Sequence, residues 1–123
     1  MKVIKTTGAP AAIGPYSQAI EVGGFLFTSG QIPLDPNGGE MPADIADQTR
    51  RVMNNLKAVL GEAGMDFTNV VKTTVFITDL TDFGVVNEVY GSFFGDNPPA
   101  RSCVQVAALP KGAKIEVELI AKK

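Results

Sequence analysis

The feature that most constrains this chain is the spacing of apolar residues between Asp44 and Gly64. Apolar or small residues recur there at helical intervals, namely Ile45, Thr49, Val52, Met53, Leu56, Val59, Leu60 and Ala63. This spacing predicts an amphipathic helix with one buried and one hydrated face. Asp44 is a residue type favoured at the N-cap, and Gly64 is one favoured just beyond the last turn. Such a helix requires a second layer to pack against.

Strand patterns supply that layer. They predict strands at 2–6, 18–22, 25–29, 70–78, 101–107 and 114–121, a second helix at 82–94, and a loop at 30–43. The Gly23-Gly24 pair predicts a tight hairpin turn between the second and third strands. The order β-β-β-α-β-α-β-β predicts an α+β fold, with one mixed sheet and both helices packed on one face.

Size and composition predict one domain spanning residues 1–123. The chain has a mass of 13.0 kDa. Hydrophobic residues make up 45% and charged residues 20%, which is typical of a globular core and not of a disordered segment. The formal net charge is −2, and a general nucleic-acid binder needs a basic surface. We therefore expect no nucleic-acid partner.

The numbers of histidine and cysteine residues limit the kinds of catalytic site, metal site and disulfide that the chain can form. The chain has no histidine and one cysteine, so Ser-His pairs, Cys-His pairs, histidine metal sites and an intrachain disulfide are excluded. It also lacks a P-loop and a dinucleotide-binding glycine motif, and we expect no metal and no cofactor. The first residues lack a signal-peptide core, and no apolar run is long enough to span a bilayer. We expect a cytoplasmic protein without a membrane partner.

Alternation in the last strand predicts which side chains face the helices. Ile115, Val117 and Leu119 share one face, and we assign that face to the helix side of the sheet. Glu116 and Glu118 then project from the opposite, helix-free side.

The preceding strand alternates in the same way. We assign Val104 and Val106 to the helix side, which places Arg101 and Cys103 on the helix-free side with Glu116, on two strands that can pair. A guanidinium, a thiol and a carboxylate together make a site for a small anionic ligand.

The predicted helix-free face is partly apolar, because Ile120 and Phe76 also belong to it. An open sheet of this kind rarely faces water alone. We therefore expect a partner chain to cover it and the ligand site to lie at the margin of that interface.

Six linked motifs carry a resemblance to a known family. In chain order they span residues 11–19 (AAIGPYSQA), 28–33 (TSGQIP), 71–76 (VKTTVF), 86–87 (VN), 99–104 (PARSCV) and 114–118 (KIEVE). Together they resemble the RidA family, also called YjgF, over roughly residues 8–121, and several motifs in order are far more specific than one. The resemblance implies a chorismate-mutase-like fold and a homotrimer with three sites in the clefts between subunits.

The resemblance also implies an activity without a cofactor. It is the hydrolysis of 2-aminoacrylate- and 2-aminocrotonate-type enamine or imine intermediates, released by pyridoxal-phosphate dehydratases, to 2-keto acids and ammonia. An enzyme of this type is a 2-iminobutanoate/2-iminopropanoate deaminase.

The same resemblance assigns roles to residues of this chain. It implies that Arg101 holds the substrate carboxylate and that Glu116 and Cys103 lie beside the attacking water. Cleft-lining residues would be Tyr16, Gly30 and Asn87. Arg101 can grip a carboxylate with two parallel hydrogen bonds, and Glu116 can accept the proton of the water. Cys103 can contribute through its thiol or through its main-chain carbonyl.

Each of these residues also has a purely structural interpretation. Arg101 and Asn87 can be solvated, and Glu116 can belong to a hydrated strand face. A lone cysteine such as Cys103 is often a small buried hydrophobe. Tyr16 can serve packing alone, and Gly30 can mark a β-bulge.

Two other functions remain open at this point. One is a non-catalytic trimer that binds small carboxylates through Arg101. The other is an endoribonuclease or translation inhibitor, against which the acidic charge balance and the lack of histidine weigh.

Overall fold

The computed structural model of the protein describes residues 1–123 and has the predicted order of elements. The strands are β1 (Lys2–Ile4), β2 (Ala19–Val22), β3 (Phe25–Thr28), β4 (Val70–Ile77), β5 (Ala100–Gln105) and β6 (Ile115–Lys122), and the helices are α1 (Ile45–Glu62) and α2 (Phe83–Gly91). The predicted α+β class, with two helices on one face of a mixed sheet, is confirmed. Neither helix is both long enough and apolar enough to cross a membrane.

The six strands form one sheet in the order β1-β2-β3-β6-β4-β5. Strands β4 and β5 run parallel, and every other neighbouring pair is antiparallel. Strands β5 and β6 therefore do not pair with each other, because β4 lies between them. The edge position of β5 leaves one side of that strand without a partner.

The hairpin between β2 and β3 turns at the predicted glycines. Gly23 and Gly24 have φ values of 58° and 81°, and Val22 pairs directly with Phe25. A two-residue turn with both φ angles positive is the type that joins twisted antiparallel strands, and residues other than glycine rarely adopt it.

Helix α1 begins and packs as its sequence predicts. The Asp44 carboxylate accepts a hydrogen bond from the backbone N–H of Asp47, which caps the first turn. Its apolar stripe is buried against the sheet, with Val52, Met53 and Leu56 fully inaccessible to solvent. Each such side chain stabilises the fold by roughly 1.5–3 kcal/mol.

The end of α2 differs from the prediction, since the helix stops at Gly91 and not at Phe94. The N–H groups of Phe93 and Phe94 bond to carbonyls three residues back, which tightens the chain into a final turn. Both rings pack on Phe67, with centroids 5.5 and 5.4 Å away, and this packing favours the tighter turn.

Strand β5 is also shorter than predicted, ending at Gln105 and not at Ala107. It ends where its partner ends, because Gln105 pairs with Ile77, the last residue of β4.

The sheet has one face without helices, which we call the helix-free face. An apolar row crosses four adjacent strands there, formed by Val3, Ile20, Phe27 and Ile120 in direct register. The same face carries Phe76 and Val104. Val3, Phe27 and Val104 are 56%, 43% and 43% exposed, so the predicted partly apolar open face is present.

Candidate functional site

Strand β5 presents its side chains to the opposite faces from those predicted. Arg101 pairs with Thr73 and Cys103 pairs with Val75, both of which are buried beneath the helices. Arg101 and Cys103 therefore lie on the helix side, and Val104 lies on the helix-free face. The prediction was wrong because apolar residues occur on both faces of this sheet. Alternation shows which residues share a face, but it does not show which face that is.

Three residues of α2 surround the Arg101 guanidinium, and with Arg101 they form what we call the Arg101 cluster. Phe83, Asn87 and Tyr90 follow one another at intervals of four and three, which places them on one side of the helix. The guanidinium carbon lies 5.4 Å from the centre of the Phe83 ring and 5.0 Å from that of Tyr90. Nη1 of Arg101 donates to Oδ1 of Asn87 at 2.7 Å. Asn87 is therefore a partner of Arg101 and not merely solvated.

The charge of Arg101 has no acidic partner within the chain. The three ion pairs of the protein join other residues. Neighbouring groups of Arg101 are an amide oxygen and two aromatic rings, all of them uncharged. One of the five N–H donors of the guanidinium is in use. The others can grip a carboxylate, and the positive charge remains available to it.

Cys103 lies two residues after Arg101, on the same face of β5, and its side chain is partly buried against the core. Burial raises the pKa of its thiol, and the nearby Arg101 charge only partly opposes this effect. A protonated thiol is a poor nucleophile, since the thiolate is the reactive form. The environment fits the packing role of Cys103 better than a nucleophilic role.

Glu116 projects from β6 onto the helix-free face, as predicted, where its register partner on β4 is Phe76. Its carboxylate lies directly against the Cα of Gly30, and a Cβ atom at residue 30 would overlap with it. Burial, with a smaller contribution from the charge of Glu118, raises the pKa of the Glu116 carboxyl. No side chain or backbone group of the chain donates a hydrogen bond to this carboxylate and no cation pairs with it, so its oxygens are free to bind water.

Tyr16 lies near Gly30, and both line one small surface depression. We call Tyr16, Gly30 and Glu116 the Glu116 cluster. The Tyr16 side chain is 49% exposed, and its ring packs over Gly14. The buried side chain of Gln18 bonds to backbone groups of Thr6, Ala9 and Pro10, which fixes the loop leading to Tyr16.

The two clusters do not meet within one chain. Arg101 is level with Thr73 and Glu116 is level with Phe76, three residues further along β4. Their Cα atoms are about 10 Å apart along the strands and about 10 Å apart across them. Their side chains also leave opposite faces of the sheet. A single small molecule cannot contact both side chains of the same copy.

The sequence patterns did not indicate that Phe83, Tyr90 or Thr73 are partners of Arg101. The helical spacing of Phe83, Asn87 and Tyr90 is present in the sequence, but it predicts that the two aromatic residues belong to the buried apolar stripe of α2. Only the packing of α2 over β4 and β5 brings them to Arg101. No group of three or more acidic or cysteine side chains is close enough to hold a metal ion.

Comparison with known proteins agrees with the fold and with the motifs. The sequence profile of the family described as Endoribonuclease L-PSP matches residues 6–123. A RutC family protein of Pasteurella multocida is 56% identical over 99% of this chain and 98% of its own length. The 2-iminobutanoate/2-iminopropanoate deaminase of Escherichia coli is 53% identical over 98% of this chain and 96% of its own length.

A solved structure gives the same result. The crystal structure of E. coli TdcF with bound serine has a TM-score of 0.97 and 52% sequence identity, covering 100% of this chain and 99% of that one.

Proposed function

Because this chain belongs to the family described as Endoribonuclease L-PSP, the RidA or YjgF family, we infer that it is a deaminase of reactive intermediates. It hydrolyses 2-aminoacrylate- and 2-aminocrotonate-type enamines, through their imines, to 2-keto acids and ammonia. The observation that carries this function is the uncompensated charge of Arg101, held among uncharged partners. Such a group favours a substrate with a carboxylate.

We assign binding to Arg101 and proton transfer to Glu116. Two parallel N–H groups of the guanidinium hold the carboxylate, which fixes the imine carbon against a water molecule. The water oxygen bonds to that carbon as the C=N π bond opens onto nitrogen, and Glu116 accepts a proton from the water and passes it to that nitrogen, which gives a neutral carbinolamine. Glu116 then accepts the proton of the carbinolamine hydroxyl and passes it to the nitrogen, so that the C–N bond breaks, the C=O bond forms and ammonia leaves. The imine carbon is already electrophilic, so we expect no requirement for a metal or an organic cofactor.

The raised pKa of Glu116 suits this role. A general base works best when its pKa lies near the working pH, and burial moves the carboxyl in that direction. Tyr16, Gly30 and Asn87 line the cleft, and Cys103 contributes packing or its main-chain carbonyl.

We propose that each active site joins two copies of the chain in a homotrimer of about 39 kDa, three times 13.0 kDa. Two observations support this arrangement. The apolar row on the helix-free face is too exposed for a lone subunit. In addition, the side chains of Arg101 and Glu116 in one copy project from opposite faces of the sheet. The Arg101 cluster of one copy then faces the Glu116 cluster of the next.

The chemistry of the substrate indicates the cellular setting. Enamines of this kind are short-lived and are formed when a pyridoxal-phosphate dehydratase eliminates water from a hydroxylated amino acid. We propose the cytoplasm, the compartment of such reactions, where the free Cys103 stays reduced.

A coupled assay tests the activity. Purified protein is added to a serine or threonine dehydratase, and the release of keto acid and ammonia is timed against Arg101→Ala as a control. Acceleration by the parent alone supports deamination. Pyruvate binding without any acceleration would instead identify a carboxylate sensor.

A mixing experiment tests the shared site. We expect Arg101→Ala and Glu116→Gln each to be poorly active, and the two are unfolded and refolded together in equal amounts. If each site draws one residue from each of two copies, random reassembly should restore both residues in about a quarter of all sites in the refolded mixture. Recovery of no activity, with trimers verified by light scattering, would mean that both residues act from one copy.

A further inference from the structure

Tyr90 is held at both of its ends, which distinguishes it from the other neighbours of Arg101. Its hydroxyl lies 2.7 Å from the hydroxyl of Thr73, and its ring lies beneath the guanidinium. Tyr90 is 6% exposed and Thr73 is fully buried. Phe83, on the other side of the guanidinium, is 37% exposed and has no polar anchor.

The register of the sheet makes this arrangement compact. Thr73 on β4 is the direct neighbour of Arg101 on β5. The Thr73 hydroxyl therefore links the strand beside Arg101 to the helix residue that packs on the Arg101 side chain. A long arginine side chain on an edge strand otherwise loses much conformational freedom when it binds a ligand.

We propose that Thr73 and Tyr90 act as a pair of positioning residues for Arg101. Their hydrogen bond fixes the Tyr90 ring, and the ring fixes the guanidinium in the orientation that accepts a carboxylate. Neither residue touches the substrate. The proposal rests on the proposed function, in which Arg101 holds the substrate carboxylate.

If Thr73 and Tyr90 position Arg101, their substitution should weaken substrate binding and leave the proton-transfer step unchanged. Glu116 lies on the other face of the sheet and is not changed by substitutions at Thr73 or Tyr90. Thr73→Val and Tyr90→Phe each remove the shared hydrogen bond at nearly constant volume. Each should raise the Kd for pyruvate, and the KM for the imine, by roughly 3- to 10-fold, while kcat changes by less than about 3-fold.

Two further variants separate positioning from packing. Tyr90→Leu removes the ring as well and should raise the Kd by roughly 3- to 30-fold. Thr49→Val is the matched control, because Thr49 is also fully buried but bonds only to the backbone of Ile45 within α1. It can lose stability, but it should bind pyruvate as the parent does.

The experiment measures pyruvate binding by calorimetry, steady-state deamination, and thermal stability for the parent and all variants, including the double variant T73V/Y90F. We expect the double variant to bind no more weakly than the weaker single variant, because both changes remove one hydrogen bond. Parent-like binding by both single variants, fully additive losses, or an equal loss in Thr49→Val would each overturn the proposal.

The outcomes also separate this proposal from the proposed function. Coupled losses in pyruvate binding, with no deamination by the parent, would support the positioning pair and reject the deaminase activity. Deamination by the parent with no effect of the pair would reject the pair alone. Failure of the parent both to bind pyruvate and to release keto acid would overturn both.

Discussion

The Arg101 cluster and the Glu116 cluster differ in what surrounds the charged side chain of each. Arg101 is contacted by two rings and an amide oxygen, all contributed by one helix. Glu116 is accommodated by the lack of a side chain at Gly30 and receives no hydrogen bond from the chain. A binding group benefits from neighbours that fix its orientation, whereas a proton acceptor needs open lone pairs and a raised pKa. The difference supports the proposed division, in which Arg101 binds the substrate and Glu116 transfers the proton.

Loss of the guanidinium should give the largest effect. Arg101→Ala should lower kcat/KM by roughly ten- to several-thousand-fold, because one or two charge-assisted hydrogen bonds are lost. Arg101→Lys should also lose most activity, since its ammonium cannot form the planar fork that Asn87 and the rings orient. Keto-acid release in the coupled assay measures both. Full activity in Arg101→Ala, with matched thermal stability, would show that the binding group lies elsewhere.

Loss of the proposed proton acceptor, Glu116, should give the next largest effect and should distinguish the roles of the two clusters. Glu116→Gln keeps the size of the side chain but cannot accept a proton from water. We expect kcat to fall by roughly a hundredfold while pyruvate binding stays near that of the parent. Weaker pyruvate binding at unchanged kcat would reverse the roles that we assign to the two clusters.

A smaller effect should follow from filling the space beside Glu116. In Gly30→Ala, the new methyl group displaces the carboxylate, and we expect kcat to fall by roughly tenfold. Gly61→Ala is the matched control, because Gly61 lies within α1 and a methyl group there meets no neighbour. It should leave activity unchanged and stabilise the protein by roughly 0.5–1 kcal/mol. Equal kcat values for both alanine variants would remove Gly30 from the site.

The smallest effect concerns stability and pH. The folded chain holds the Glu116 proton more tightly than the unfolded chain, because burial and Glu118 raise the pKa above its ordinary value of 4.5. Stability therefore falls as pH rises from 4.5 through the raised pKa, and the full penalty is present above it. Glu116→Gln removes this penalty, so it should melt slightly higher than the parent at pH 7. The gain should vanish below pH 4.5, and a constant gain across that range would contradict the assignment.

The sequence predicted most of the fold because the relevant signals are local. Alternation, helical spacing, the N-cap Asp44 and the Gly23-Gly24 turn depend on a few adjacent residues, and the structure confirms them. The end of α2 was misplaced because the packing of Phe93 and Phe94 on Phe67 is a contact between distant segments.

The sequence predicted the residues of the candidate site, but it did not predict how they are arranged in space. The motifs named Arg101, Glu116, Cys103, Tyr16, Gly30 and Asn87, and their roles stay predictions. Alternation placed Glu116 on the correct face and Arg101 on the wrong one. The error has a physical cause, since an apolar residue such as Val104 belongs equally well to a helix-covered core or to an exposed apolar face.

By itself, the sequence determined which elements form, which residues are candidates for the chemistry, and that the chain carries a formal net charge of −2. These properties follow from the composition and spacing of neighbouring residues. Tertiary structure alone decided that Arg101 meets Phe83, Asn87 and Tyr90, that Gly30 makes room for Glu116, and that the two clusters lie on opposite faces. Strand order and helix packing set those contacts, and both depend on residues far apart in the chain.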